Sequence, residues 1–521
     1  MVSKGQRRLI GWLTLFLLVA PACKRENGAH PENDSNVVTV TIREPTALDP
    51  AFLQGANDFQ VAGQLFDSLY RLDPKTGDAL PSLAKSEDVS PDGLTWTFHL
   101  NPERTYADGS PVLARHFVHA WKRILDPATG SPGADALAFL SGGKECVGTD
   151  SCDPNIAALD DRTLQIGLES PQPFLRHMLA SPRLAPLPSD FNGSKAKAAE
   201  IPDRVVSGPY RLHSWTPNAE AHLTVNRNNP RGKEAFFDTV SLRFTQSEDS
   251  AMTWWRSKES DIVVGLVPLN QSRELRREFS GSFVTAPRRS VFYLLINHRK
   301  PALSSPALRR LLAGALEREA LVQQVLGSGQ VAAFSFLPAL YGNSGFRPEK
   351  CSGWDASPPP DDLSLEVLSN ASDTLTLILE FLEQNLTHNA QLGATLRFLE
   401  WNTFLSTVRK GDFDLARMSF TGGADPLDFF DNFVSSHPNN MGHYENPRYD
   451  AAVAKARQAT SRTQRLEAMQ EAHQLLCDDV AAIPVYFSSQ VYLVRNDLVK
   501  SFFPDPEGQF DLTTLRPAEK H

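Results

Sequence analysis

The sequence predicts an α/β fold, and three observations carry that prediction: β-branched and strictly alternating apolar runs, apolar residues at helical spacing, and the alternation of the two along most of the chain. Val37 to Ile42 is a β-branched run ended by Glu44-Pro45, which predicts a buried opening strand. Leu94 to Leu100 alternates, with Leu94, Trp96, Phe98 and Leu100 on one face, and Pro91-Asp92-Gly93 supplies the turn before it. After the Asp108-Gly109 turn, Phe117, Val118, Trp121, Ile124 and Leu125 fall at i, i+1, i+4, i+7 and i+8, an amphipathic helix stopped by Asp126-Pro127. Phe292 to Ile296 predicts a strand and Leu308 to Leu326 a helix, with Gly327-Ser328-Gly329 as its C-terminal turn. Leu396 to Leu399 predicts another strand and Phe404 to Val408 a helix face. A helix over Gln464 to Leu476, with Leu466, Met469 and Leu475 on one face, precedes a buried strand at Ile483 to Phe487. Between Cys351 and Ser364, Pro358-Pro359-Pro360 and Asp361-Asp362 break any periodicity and predict a surface loop.

A chain of 521 residues carries a prior of about three domains. With 41% hydrophobic and 22% charged residues it can bury enough apolar surface to offset chain entropy. A net charge of −9 argues against a polyanion-binding surface, so nucleic acid is excluded as a partner class.

Residues 1 to 22 hold Lys4, Arg7 and Arg8, then the apolar run Leu9 to Ala20, and no acid. That run is too short to span a bilayer, which takes about 20 helical residues, and reads as a signal peptide. Its removal leaves 49 basic and 61 acidic residues, or −12. Val19-Ala20-Pro21-Ala22-Cys23 resembles a bacterial lipobox, which makes Cys23 the lipidated N-terminus; the competing reading is ordinary cleavage after Ala-Pro-Ala. Lys24 to Asn36 is polar and predicts a flexible tether. Lys24 does not choose between inner and outer membrane.

Four cysteines remain for an oxidising compartment, and four allow three pairings. The five residues between Cys146 and Cys152 favour a local disulfide there, which leaves Cys351 with Cys477. No CxxC, GxSxG, HExxH, GxxxxGK[ST] or GxGxxG occurs, so neither a metal nor a cofactor is expected. His116 and His119 read as solvated helix positions, and Asp160-Asp161 and Asp478-Asp479 as turn and cap residues. These negatives favour a binding protein over an enzyme.

One ordered set of segments resembles a known family. It runs through Leu65-Phe66-Asp67-Ser68-Leu69, Asp73-Pro74-Lys75-Thr76-Gly77, Pro81-Ser82-Leu83-Ala84, Ser90 to Leu100 and Ala107-Asp108-Gly109-Ser110-Pro111-Val112. It continues with Phe117 to Arg123, Leu125-Asp126-Pro127, Ser207-Gly208-Pro209-Tyr210, Ile296-Asn297, Arg309 with Glu317-Arg318-Glu319, and Glu400-Trp401. It ends with Phe413-Asp414-Leu415-Ala416-Arg417, Asn439-Asn440, Tyr444, Tyr449-Asp450 and Ile483-Pro484-Val485-Tyr486. The family is that of the oligopeptide-binding components of ABC importers, the family 5 solute-binding proteins.

The resemblance implies a periplasmic-binding-protein-like two-lobed receptor with an extra inserted domain and a hinge between lobes. It places the first lobe, discontinuous, at 37–67, 187–288 and 489–521, the extra domain at 68–186 and the second lobe at 289–488. It implies a peptide or peptide-like cargo, ABC permease and ATPase subunits as partners, a monomer, and a periplasmic, membrane-anchored location. The cargo walls it implies are Gln54, Gly55, Ala56 and Asn57, with Val264, Gly265 and Leu266, from one lobe. From the other come Trp401, Arg417, Phe420, Thr421, Gly422 and Tyr486. Oligopeptide-binding members follow the Phe-Asp-x-Ala-Arg segment with an Asp that pairs with the peptide's α-amino group. Here Met418 to Pro426 is one residue shorter, and that position falls on Gly422 or Gly423, glycines that leave room for a bulkier or blocked cargo end. Asp425 reaches the same amine only if the shortened loop rotates; its other reading is a residue fixing the turn before Pro426. The stretch Lys350 to Ser364, with Cys351 and three prolines, also departs from the family pattern and alters the rim of the second lobe. Alternatives to a peptide receptor are a receptor for another solute, a sensor without import, and a secreted hydrolase on the same scaffold.

Overall fold

The structure, a computed structural model, describes residues 36–147, 149, 153–191, 193, 201–354, 363–459 and 461–518. The signal peptide, Cys23, Cys152 and the proline run at 358–360 lie outside the described residues.

Seventeen strands fall in three sheets among the described residues. In chain order they are β1 (Val37–Ile42), β2 (Tyr70–Leu72), β3 (Ala79–Pro81), β4 (Ala84–Val89), β5 (Thr95–Leu100), β6 (Ile156–Ala158), β7 (Thr163–Gly167), β8 (Tyr210–Thr216) and β9 (Glu220–Val225). They continue with β10 (Thr239–Phe244), β11 (Ile262–Val264), β12 (Phe283–Ile296), β13 (Val331–Ala332), β14 (Ser364–Asn370), β15 (Gly393–Leu399), β16 (Leu415–Thr421) and β17 (Ala482–Val494). The main sheet runs β15-β14-β16-β12-β17-β11-β1-β10-β9-β8, with β13 against β17. A four-stranded sheet, β4-β5-β7-β6, and the β2-β3 hairpin are built from the segment between β1 and β8.

The opening strand lies between two parallel partners, β10 and β11, buried as its β-branched run requires. β5 alternates as predicted, with Trp96, Phe98 and Leu100 inward. The helix Ala114–Leu125 buries Phe117, Trp121, Ile124 and Leu125. Gly327 ends its helix in the left-handed region, φ +68°.

Two strands are much longer than their apolar runs. β12 has 14 residues and β17 has 13, and they pair antiparallel from Phe283↔Leu493 to Leu295↔Ala482. Along β12, Ala286 belongs to the core that contains β1, whereas residues 291 to 296 supply two other cores, odd residues one and even residues the other. β17 makes the same passage in reverse, from Ala482–Tyr486 to Val491–Val494. Between these stretches the register slips: Pro287 faces Ser489 and Val291 faces Phe487, three residues of β12 opposing one of β17. The molecule therefore has two lobes joined through a bulged strand pair.

The predicted helix Leu308 to Leu326 is broken. The helix Pro306–Ala315 ends where Leu316 turns extended, and Leu321–Leu326 is π-helical. Tertiary demand overrides the periodicity: buried Arg318 donates Nε–H to Pro484 O at 2.8 Å and Nη1–H to Ala313 O at 2.8 Å. Burial pushes its pKa down to about 9. His116 is a second correction. It is buried rather than solvated, bonded through Nδ1 to the Tyr106 hydroxyl at 3.0 Å, and desolvation lowers its pKa to about 4. His119 is half-buried, its Nε2 3.2 Å from Phe191 O. Asp479 accepts from the Tyr444 hydroxyl and Asn446 Nδ2, each at 2.7 Å, instead of acting as a simple cap.

A buried charge network fastens the inserted segment to the first lobe. Asp67 accepts from Arg104, from Arg231 and from Asn229 Nδ2, and Arg231 also holds Asp511 at 2.6 Å. Burial alone would raise the Asp67 pKa; Arg231 and Arg104 outweigh it and hold the carboxyl below its usual range.

Cys351 is bonded to Cys477, across a sequence separation of 126, tying the chain after β13 to the helix Arg462–Asp479. Cys146 is also disulfide-bonded, and its expected partner lies outside the described residues. Closing so long a loop restricts the unfolded chain strongly. The double variant Cys351→Ser, Cys477→Ser is expected to lose about 3–5 kcal/mol in denaturant unfolding of the second lobe.

Candidate functional site

The bulge of β12 places Arg289, nearly buried, where the lobes meet. Its carbonyl accepts the Gly422 N–H at 2.9 Å, and its Nη1 donates to Gly423 O at 3.1 Å. Its backbone N–H reaches Pro506 O at 3.4 Å, and Nη1 lies 3.5 Å from the Glu507 carboxylate. Tyr341 donates its hydroxyl to the same Gly423 carbonyl at 2.7 Å while its ring faces the Arg289 guanidinium. One arginine of a crossing strand thus joins the Gly422-Gly423 turn of the second lobe to the 505–507 turn of the first.

Two cavities open at this junction. One of about 350 Å³ is lined by Phe59, Phe66, Met178, Gly423, Ala424 and Glu507, among others. The other, of about 420 Å³, is lined by His177, Arg289, Tyr341, Ala424 and Asp505, among others. Both draw walls from the first lobe, the inserted segment and the second lobe. A larger cavity of about 880 Å³ lies against the helix Ala114–Leu125 and takes no residue from the second lobe.

The residues expected from sequence distribute unevenly over this geometry. Gln54, Gly55 and Ala56 are exposed and Asn57 is half-buried at the start of the helix Ala56–Leu65, where the Asp58 carboxylate accepts the Gln54 and Gly55 N–H groups, each at 3.0 Å. Gly55 has φ −89°, and a Cβ there would meet the Asp58 carboxylate only at ordinary contact distance, 3.9 Å, so the turn does not demand glycine. Gly265 does need it, at φ +65°, and is exposed, whereas Val264 and Leu266 point into the core and can offer only backbone. Arg417 is half-buried over the Phe292 ring, and Phe292 stacks on Tyr486 at 4.7 Å and 11°. The Arg417 guanidinium has no ion pair with a described residue, and burial lowers its pKa against the opposing Tyr486 and Tyr293 phenols. Phe420 packs edge-on against Phe429, and Thr421 is exposed at the end of β16. Trp401 is half-exposed with its ring on Phe404 of its own helix.

The glycine pair does not open room for a cargo end. A Cβ on Gly422 would lie 2.2 Å from a Phe429 ring carbon and 2.7 Å from the Tyr341 hydroxyl oxygen, so that space is already filled. The position beside Gly423 holds a carboxylate: Asp428 Oδ2 lies 2.8 Å from where a Cβ would stand and accepts the Gly423 N–H at 2.7 Å. Asp425 fixes its turn. It accepts the Leu427 N–H at 2.9 Å and both its oxygens bond Arg465 Nη2, at 2.7 and 2.6 Å. Asp428 has no ion pair with a described residue, and desolvation, reinforced by Asp425, raises its pKa to about 7. Asp505, facing Glu507, is raised for the same reason, burial.

Sequence reasoning missed Arg289, Tyr341, Asp428, Asp505 and Glu507. The only signal was a pair of arginines after Pro287 in an otherwise apolar stretch, charge that a strand keeps only at a junction. Among the described residues one trio could hold a metal, Cys351, His473 and Cys477, but both sulfurs are in the disulfide and supply no thiolate.

These features are those of a receptor that encloses a solute between lobes. Residues 78–441 match the bacterial extracellular solute-binding proteins, family 5 (middle region), and the chain belongs to that family. It is 27% identical over 524 residues to the periplasmic oligopeptide-binding protein OppA of Salmonella typhimurium, with 95% of each chain covered. It is 28% identical over 478 residues to the probable deoxycholate-binding periplasmic protein YgiS of Escherichia coli, covering 87% of this chain and 88% of that one. The unliganded open form of the murein tripeptide binding protein MppA superposes with a TM-score of 0.83 at 25% identity, over 92% of this chain and 97% of that one. A second structure of that protein, from Escherichia coli, gives 0.71 over 93% and 99% at 25% identity.

The raised pKa of Asp428 has a sign that can be tested. Its folded value, about 7, exceeds the ordinary 3.8, so ionisation costs the folded state more than the unfolded one. The penalty is absent below about pH 4, grows as pH rises to about 7 and is constant above. Asp428→Asn is expected to match the parent's melting temperature at pH 4 and exceed it at pH 8, by differential scanning fluorimetry.

Proposed function

We propose that the protein is the extracytoplasmic receptor of an ABC importer, that it closes its lobes on a peptide or peptide-like cargo, and that Asp428 meets a cationic end of that cargo. The observation that carries the reading is the Asp428 carboxylate: desolvated, without an ion-pair partner among the described residues, and standing where a side chain of Gly423 would be. A cargo ammonium supplies the missing counter-charge, as a charge-assisted hydrogen bond. Several relatives carry oligopeptide- or dipeptide-binding names, which supports peptide as the cargo. The superposition on an unliganded open form, with a TM-score of 0.83, supports an open cleft in this structure.

The domain limits follow the same reading: a first lobe of 37–67, 187–288 and 489–521, an inserted domain of 68–186 and a second lobe of 289–488. Gln54 to Asn57, the Gly265 backbone, Arg417, Tyr486, Phe420 and Trp401 are proposed cargo walls. Asp425 is not among them, because Arg465 occupies it. Once the leader of residues 1–22 is removed, lipidated Cys23 would hold the receptor at the membrane through its tether. Binding and delivery, rather than turnover, is the proposed activity. A relative named as deoxycholate-binding makes a non-peptide solute the second reading.

Calorimetry with the pentapeptide Ala₅, its N-acetyl form and deoxycholate tests this. Acetylation and Asp428→Asn are each expected to weaken pentapeptide binding by about tenfold or more, and the two losses should not add, since both remove one pair. Equal affinity for the free and acetylated peptides would show that no amine is recognised; binding of deoxycholate alone would replace the peptide reading.

A further inference from the structure

A second cleft feature carries the opposite charge. Beside the junction lies a groove of about 740 Å³ whose walls come from both lobes: the helix Ser272–Glu278 on one side, and residues 319–334 with Lys350 on the other. Arg273, Arg276, Arg277 and Lys350 line it, against one acid, Glu319. None of the four cations makes an ion pair with a described residue. Arg276 and Lys350 rest instead over the Phe283 and Phe334 rings, and Arg273 lies against Gly327. In a chain of net charge −9, four uncompensated cations around one cavity are a local reversal of sign.

The groove is continuous with the cargo walls. Ala332 pairs with Tyr486 and Val331 with Phe487, so the groove begins one strand spacing, about 4.8 Å, from the Tyr486–Phe292–Arg417 stack. On the same edge of β17, farther along, β11 ends at Val264, just before Gly265. Ser272 and Ser328 join across the lobes, Ser328 Oγ donating to Ser272 Oγ at 2.7 Å. The floor is apolar and partly exposed: Val322, Val331 and Phe334. Cations above an apolar floor suit an aliphatic chain ending in a carboxylate.

We propose that this groove is an anion subsite that takes the carboxylate side chains of an acidic cargo peptide, which makes the receptor selective for cargo with acidic residues at the end opposite Asp428. The inference rests on the peptide reading and deepens it. Because the cations come from both lobes, a dianionic cargo end also draws the lobes together, and recognition and closure are one event.

Calorimetry at low salt with Ala-Ala-Ala-Glu-Glu, Ala-Ala-Ala-Gln-Gln and Ala-Ala-Ala-Lys-Lys tests it. The Glu-Glu peptide should bind most tightly and lose its advantage as salt is raised. The triple variant Arg273→Gln, Arg276→Gln, Arg277→Gln should weaken the Glu-Glu peptide by about tenfold and leave the Gln-Gln peptide unchanged; Lys350→Gln alone should do the same to a smaller degree and serves if the triple variant does not fold. Equal binding of the Glu-Glu and Gln-Gln peptides by the parent overturns the subsite while the peptide reading stands. No binding of any peptide overturns both. Variants that bind all peptides normally but fail in import would assign the groove to an acidic surface of the permease instead, and would also overturn the proposal.

Discussion

The structure depends on one strand pair. β12 and β17 are the long antiparallel strands that leave one hydrophobic core and enter others, and between those cores lie residues 287–290 of one strand and 488–490 of the other, which belong to none. A pair anchored at both ends by buried side chains and free of core contacts in the middle can bend there at little cost, because bending breaks no apolar packing. The bulge marks the bend, and Arg289 sits in it with bonds to both sides. Every feature of the cleft is positioned relative to that point: the Gly422-Gly423 turn through the Arg289 carbonyl and guanidinium, the 505–507 turn through its N–H, and the Arg417–Phe292–Tyr486 stack by the next residues of the same two strands.

Charge is distributed along the cleft by what the backbone leaves unpaired. Around Gly423 the acids Asp428 and Asp505 are buried enough that ionisation is costly, and Glu507 is shared with a single arginine. Across the sheet, beyond Tyr486, the charged lining is mainly cationic, Arg273, Arg276, Arg277 and Lys350 against Glu319. In the proposed reading, a zwitterionic or acidic chain lying across the strands would meet the desolvated acids at one end and the unpaired cations at the other. This explains why Asp425, which looks like the natural substitute for an acid at 422 or 423, is the wrong carboxylate: Arg465 has already neutralised it.

Most of the fold was legible in the sequence, and the cleft only in part. Element identity came through wherever one face is buried, as at Val37–Ile42, Thr95–Leu100 and Ala114–Leu125, because there periodicity and burial are the same fact. The lengths of β12 and β17 did not, because Pro287-Arg288-Arg289 reads as a strand end when the pairing partner, two hundred residues away, is unseen. The break after Ala315 was hidden for a similar reason, since Arg318 ends the helix by reaching Pro484. Glycine misled at Gly422, which reads as space for cargo but is space for Phe429. Asp428 carried no local signal at all, because an acid five residues after Gly423 becomes significant only when its helix folds the carboxylate back against that glycine.

The central claim is that the lobes turn about the β12–β17 pair to enclose cargo. Small-angle X-ray scattering of the mature protein, free and saturated with a peptide whose binding calorimetry has established, tests it most directly. A smaller radius of gyration in the bound state is the result this account predicts; an unchanged radius with the peptide demonstrably bound would contradict it.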